Sequence, residues 1–324
     1  MLARIDAVIR EVASTRSELG ADISLPARAR AEAAEAITLL VTDHPTNRAR
    51  LGKAPGVLSS LVELVDHAWR TAVAHDIDVA MEQSKDSFLA AEAAAEAIWI
   101  LAYNSTVNHA ALIELNAVEV LSSVVTARDA LGLQTPSRAV MWAAAALQNI
   151  AASYCGGRCE WVWQRGEANR LQPLHQVTLD AEPARRRMAM QPDLVNALVQ
   201  YACEGPVGPA DGGGAPWPSK ANVESRYASS IVPWAAAGAL KNLAISSVAS
   251  DGLLTTQNAP RCLCALAHSR DWLEASKAKA ALYFLEPRAA DRSDGGFSCA
   301  VRPSFEPKSI PNSIRDDARA HDEL

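Results

Sequence analysis

The sequence predicts an all-α solenoid, and three observations carry that expectation. The first is repetition of an Ala-rich phrase. Ala-Leu-Gln-Asn-Ile-Ala at 146–151 returns as Ala-Leu-Lys-Asn-Leu-Ala at 239–244, and Ala-Ala-Glu-Ala-Ile-Trp-Ile-Leu at 94–101 echoes Ala-Ala-Glu-Ala-Ile-Thr-Leu-Leu at 33–40. A fainter copy, Ala-Ala-Leu-Tyr-Phe-Leu, stands at 280–285. Such recurrence predicts one buried helix per unit, each stacked on its neighbours. The second is composition: 49% of residues are hydrophobic but only 5% aromatic, so alanine carries much of the core and favours closely packed helices. The third is the lack of repeated β-branched alternation, which leaves no strand pattern.

Along the chain, Leu2, Ile5, Val8, Ile9 and Val12 share one face of a helix. That suits an N-terminal cap over 1–20. Gly20 to Leu25 break it, and Pro26 opens a helix reaching about Thr42, stopped by Asp43-His44-Pro45. Asn47 to Gly52 allow a short helix. Gly56 to Trp69 form a longer one with Val57, Leu61, Leu64 and Val65 on one side. Ser87 is the expected N-cap of the next helix, which ends near Tyr103. Helices then follow over 108–114 and 117–127, where Val-Leu-Ser-Ser-Leu-Val of 57–62 returns as Val-Leu-Ser-Ser-Val-Val at 120–125. In the next unit Thr135 is the expected cap, Pro136 the first helical residue, and Gly156-Gly157 the stop. Cys159 to Met188 read as insertion, after which a helix capped by Asp193 resumes. Gly205 to Pro218 read as a Gly/Pro surface loop. Helices are expected again over 230–244, 260–269 and 271–285.

One leucine per unit sets the register: Leu40, Leu101, Leu147, Leu240 and Leu282, spaced by 61, 46, 93 and 42 residues. The second and fourth spacings match a repeat of roughly 40–47 residues. The first requires an insertion, expected within Asp66–Asp86; the third requires a degenerate unit, a long insertion, or both. The resulting division is a capping helix at 1–20, a solenoid over 21–286 with an insertion at about 156–189 and a flexible loop at about 205–220, and a mostly disordered tail over 287–324.

Short helix, short helix, long buried helix, with the phrases at 146–151 and 239–244, resembles the armadillo-repeat family over about 28–286. The resemblance implies a right-handed superhelix of about five repeats with insertions. In that family the third helices line a concave groove holding extended peptides, with an Asn ladder on the peptide backbone and Trp pockets for cationic side chains. Here the Asn positions hold Thr42, Tyr103, Asn149, Asn242 and Phe284, and the Trp positions hold Thr38, Trp99, Ala145, Gly238 and Ala280. No unit has both members. The residues expected to face a partner are therefore Trp99, Tyr103, Asn149 and Asn242. An amide donates to and accepts from any main chain, and an indole face attracts a Lys or Arg stem. Each also has a plainer reading: the Asn residues tie a helix end to its loop, and Trp99, Trp142 and Trp234 pack between units.

Other chemistry is sparse. The formal net charge of −6 argues against nucleic acid as a partner and permits basic peptides. No uncharged run reads as a membrane span. Glu32, Glu35, Glu92 and Glu96 are expected at helix starts, favoured there by the dipole. Arg185-Arg186-Arg187 is expected on a solvated loop, and His44 and His109 at solvated turns or caps. The six cysteines (155, 159, 203, 262, 264 and 299) set no disulfide pattern, and no metal set, cofactor motif or enzyme signature is present. The expected function is a non-catalytic scaffold for a partner protein or extended peptide. Absence of a signal peptide predicts a cytoplasmic protein, whereas His321-Asp322-Glu323-Leu324 has the form of an ER-retention signal. If a leader belongs before Met1, the expectation becomes an ER-luminal co-chaperone of the nucleotide-exchange-factor kind, a class that is itself armadillo-like.

Overall fold

The computed structural model describes residues 26–74, 81–103, 105–127, 137–152, 181–204, 220–256, 258–268, 272–290 and Cys299. All described elements are helices. The first, α1 (Ala27–Val41), is a long Ala-rich helix. Four triplets follow: α2 (Pro45–Lys53), α3 (Val57–Ala74) and α4 (Met81–Ala102); α5 (Thr106–Glu114), α6 (Ala117–Thr126) and α7 (Arg138–Ile150); α8 (Glu182–Ala189), α9 (Pro192–Glu204) and α10 (Lys220–Ile245); α11 (Ser247–Thr255), α12 (Ala259–Ala267) and α13 (Trp272–Ala290).

The last helix of each triplet packs on the last helix of the one before, so α1, α4, α7, α10 and α13 stand side by side as one wall. The middle helices α3, α6, α9 and α12 form a second layer, each against its own wall helix and its layer neighbours. This is an α-solenoid. Alanines make the wall possible: Ala90, Ala91, Ala94, Ala95, Ala97, Ala143, Ala144, Ala146, Ala235, Ala236, Ala237 and Ala239 are each 0% exposed. A methyl group is the largest side chain that lets neighbouring helices approach this closely along their length. Leu101, Leu147, Leu240 and Leu282 all lie in this core, and Leu40 is half-buried at its first edge.

Corners repeat as well. The turn between the first two helices is made by one left-handed residue, Gly56 (φ 83°), Asn116 (φ 57°) or Asn258 (φ 68°), in three of the four triplets. Glycine and asparagine adopt that conformation at least cost. The first two wall helices end on a side chain from the next short helix. Asn47 donates to the Leu40 carbonyl (2.9 Å) and Asn108 to that of Leu101 (2.8 Å), so the amide stands seven residues beyond the register leucine both times. These bonds satisfy carbonyls that a helix end leaves without intrahelical donors.

Asn108 packs so closely on Gly52 that a Cβ there would overlap its side-chain amide. Gly52→Ala is expected to displace that buried amide from the Leu101 carbonyl and cost about 2–3 kcal/mol by urea titration. Gly252→Ala, where a Cβ meets nothing within 4 Å, is the neutral control.

Several sequence expectations change. Ser87 is buried inside α4, which starts six residues earlier. Helix α7 is capped by Ser137, which accepts from the Val140 amide (3.3 Å), while Thr135 lies outside the described residues; the helix ends at Ile150, well before Gly156. Asp193 sits in the first turn of α9 rather than ahead of it. The long first spacing is taken up partly by extra helical turns of α3 and α4, not by a loop alone. Among the described residues the third spacing contains one triplet, with α7 directly against α10. Part of the expected insertion, Glu182–Ala189, is the first helix of that triplet. Helix α10 begins at Lys220, within the expected loop, and runs through Pro233. Helix α13 continues to Ala290, past the expected end at 286. The segments 1–20, 156–180 and 205–219 lie outside the described residues, as does 287–324 apart from α13 and Cys299.

Candidate functional site

Counting from each register leucine, the residues nine, five and two before it and two after it recur at helical spacing and share one face of the wall helix. In α4 these are Glu92, Glu96, Trp99 and Tyr103; in α7, Arg138, Trp142, Ala145 and Asn149; in α10, Ala235, Gly238 and Asn242; in α13, Lys277, Ala280 and Phe284. Contacts between neighbouring helices confirm that this stripe is aligned. Glu92 accepts from Arg138 at 2.9 Å, joining the same position on α4 and α7. The Trp99 and Trp142 rings stack with centroids 4.7 Å apart and planes 28° from parallel.

Charge divides the stripe. Its first half is acidic, with Glu35 on α1 beside Glu92 and Glu96 on α4. Burial holds the Glu96 carboxyl above the ordinary glutamate pKa, with the Arg138 charge acting against the shift and the Glu35 charge adding to it. A cleft of about 480 Å³ opens between α1 and α4, lined by Arg28, Glu32, Glu35, Lys85, Asp86 and Leu89. The first turn of α1 carries no acidic residue, and Glu92 and Glu96 lie in mid-helix, so the helix dipole does not account for these acids.

Because its folded pKa is raised, the stability tied to Glu96 is complete below its unfolded pKa and is lost as pH rises through the folded value. Glu96→Gln is therefore expected to melt higher than the parent at neutral pH, with the two curves converging in acid. Parallel curves between pH 4 and 7 would refute this.

The four residues expected to meet a partner fall into two kinds. Tyr103 is 51% exposed, and Trp99 is half-buried with its ring on Trp142. Arg48 of α2 reaches Tyr103 from beneath: its guanidinium lies 5.2 Å from the ring centroid and donates to the Tyr103 carbonyl at 2.9 Å. Asn149 and Asn242 are 8% and 4% exposed and tie helix to helix. Asn149 donates to the Trp99 carbonyl (3.0 Å) and Asn242 to the Gln148 carbonyl (2.8 Å). Each spends an amide N–H on the wall helix of the preceding unit. His321 to Leu324 lie outside the described residues.

Residues for which the sequence suggested a solvated setting prove structural. His109 is 1% exposed, with a ring nitrogen 2.6 Å from the carbonyl of Ala102, the last residue of α4, so it is not solvated and takes the capping role. The arginine run lies in α8, not on a loop. Arg185 is 0% exposed and donates to the Ala151 carbonyl at 3.0 Å. Burial lowers its pKa to about 10 against the opposing pull of Glu182, which leaves it charged at neutral pH. Arg187 donates to the Ile113 carbonyl (2.9 Å) and to Asn116 (3.1 Å). The signal that would have found Asn47 and Asn108 is their common offset from the register leucines. Arg185 offers no such signal.

Two disulfides are present among the described residues. Cys203 on α9 is bonded to Cys262 on α12, and Cys264 on α12 to Cys299, with Cα atoms 5.7 and 5.8 Å apart. These separations suit disulfides. The described residues contain no group of three or more His, Cys, Asp or Glu placed to hold a metal, and no single helix long and apolar enough to cross a membrane.

Comparison with known proteins finds no matching family model and no matching curated protein. Among solved structures the chain is similar to the designed armadillo repeat protein YIII(Dq)4CqI, at 22% identity over 79% of this chain and 92% of that one, with a TM-score of 0.34.

Proposed function

We propose that the chain is a non-catalytic scaffold that holds an extended peptide or a partner protein along the wall of long helices. The observation carrying this reading is the stripe through Glu35, Glu96, Trp99 and Tyr103. It combines the exposed Glu35 and half-buried Glu96 carboxylates, a half-buried indole and an exposed phenol across adjacent helices. Such a surface offers apolar contact area with polar tips and a negative field for basic side chains. Trp99 and Tyr103 make the direct contacts. Asn149 and Asn242 act by holding the wall in register.

The test places a photo-cross-linking residue at Tyr103 and, separately, at the exposed Arg261 of α12. A partner captured from Tyr103 and lost on Trp99→Ala supports the reading. Capture from Arg261 alone would move binding to the other layer and end it.

A second reading, an ER-luminal co-chaperone, is favoured by one observation, the disulfides Cys203–Cys262 and Cys264–Cys299. Disulfides persist in oxidising compartments and are rare in the cytosol. His321–Leu324 has the form of the retrieval signal such a protein carries. Alkylating the protein in cell lysate before and after reduction distinguishes the readings. Thiols at all four cysteines without reductant would end the luminal one.

A further inference from the structure

Where α7, α10 and α13 meet, the stripe changes character. The wall offers small residues here, Ala145, Ala235, Gly238 and Ala280, and one cation crosses them. The Lys277 ammonium lies 3.4 Å from the centroid of the Trp234 ring, 3.0 Å from the Trp234 carbonyl and 3.2 Å from the Gln148 side-chain oxygen. Gly238 makes the crossing possible: a Cβ there would overlap the Gln148 amide and come within 2.8 Å of the Lys277 nitrogen.

We propose that Trp234, Gln148 and Gly238 form a binding site for a primary ammonium or guanidinium group, and that Lys277 is its internal occupant. This deepens the reading of the wall as a binding face and rests on it. An indole face, a side-chain amide oxygen and a main-chain carbonyl recognise any such cation, whichever chain it comes from. Lysine is also the occupant that leaves most readily, since its charge sits on a flexible four-carbon stem. Trp234 and Lys277 are both half-buried, so the site borders solvent. As it stands, the Gln148 amide and the Lys277 ammonium lie over Gly238. A partner carrying a basic side chain displaces Lys277 and opens this half of the wall. Until then the occupant lowers apparent affinity by the fraction of molecules in which it is seated.

The probe is a dye-labelled ten-residue oligolysine peptide, read by fluorescence anisotropy at low salt. Lys277→Met keeps the stem and removes the charge, and is expected to bind roughly tenfold more tightly than the parent. Lys279→Met makes the same change of net charge on the same helix and is expected to gain twofold or less. Adding Trp234→Leu to Lys277→Met is expected to abolish the gain, with circular dichroism melts confirming that each variant folds. Equal affinity of Lys277→Met and the parent overturns the site, as does an equal gain in Lys279→Met or a gain that survives Trp234→Leu. Absence of binding by every variant also overturns it, while the cross-linking test from Tyr103 decides the wider reading separately.

Discussion

Arg185→Ala is expected to destabilise the folded solenoid by about 3–5 kcal/mol, because it removes a buried charge around which three units are joined. Arg185 is wholly enclosed, donates to the Ala151 carbonyl at the end of α7, and lies 3.7 Å from Glu182. Glu182 in turn accepts from Ser246, at the junction of α10 and α11, at 2.7 Å. The truncation leaves a cavity, an unpaired carbonyl and a carboxylate stripped of one of its cations. Arg185→Met restores the volume but not the hydrogen bond, and is expected to recover about half of the loss. Guanidinium titration gives the magnitude, and hydrogen exchange gives the place: protection should fall first at the end of α7 and in α8. A loss below about 1 kcal/mol would mean that the buried charge contributes nothing net, as happens for some buried ion pairs.

Leu147→Ala should cost a similar amount, about 3–5 kcal/mol, and Leu40→Ala only about 1–2 kcal/mol. The chemistry deleted is the same, so the difference tests position. Leu147 is 0% exposed between α4 and α10, whereas Leu40 is half-buried on the first wall helix. A wall that alanines hold at close approach has little freedom to collapse into the hole, which puts Leu147 at the upper end of measured costs. Equal penalties at the two positions would contradict the stacked arrangement.

The periodic part of the design was legible from residues alone. Alanine phrases, register leucines and the short–short–long order of helices located the wall and most of its helices, because a stacked repeat must present similar residues at similar offsets to bury similar surfaces. The candidate site was legible in part. Tyr103 is exposed and Trp99 is half-buried with its ring stacked on Trp142 of the next unit, while Asn149 and Asn242 turn inward to a neighbouring helix. Sequence spacing places an amide on a helix face; whether its partner is a ligand or the next helix depends on how far away that helix stands.

Errors clustered where one side chain serves a distant segment. Arg185 resembled a solvated basic run because its acceptor, Ala151, is separated from it by the residues that interrupt the repeat. Lys277 meets Gln148 and Trp234 only across two helix contacts. The cysteines were unreadable because Cys262 and Cys264, two residues apart, take their partners from different segments. By itself, then, the sequence determined that this chain is a stack of helices, which helix in each unit is buried, and which leucine marks it. The tertiary structure alone decided which polar side chains are spent on holding the stack together and which are left at the wall. Periodicity is a local property set by helix geometry, whereas the fate of a polar group depends on the nearest competing donor or acceptor in space, which the order of residues does not encode.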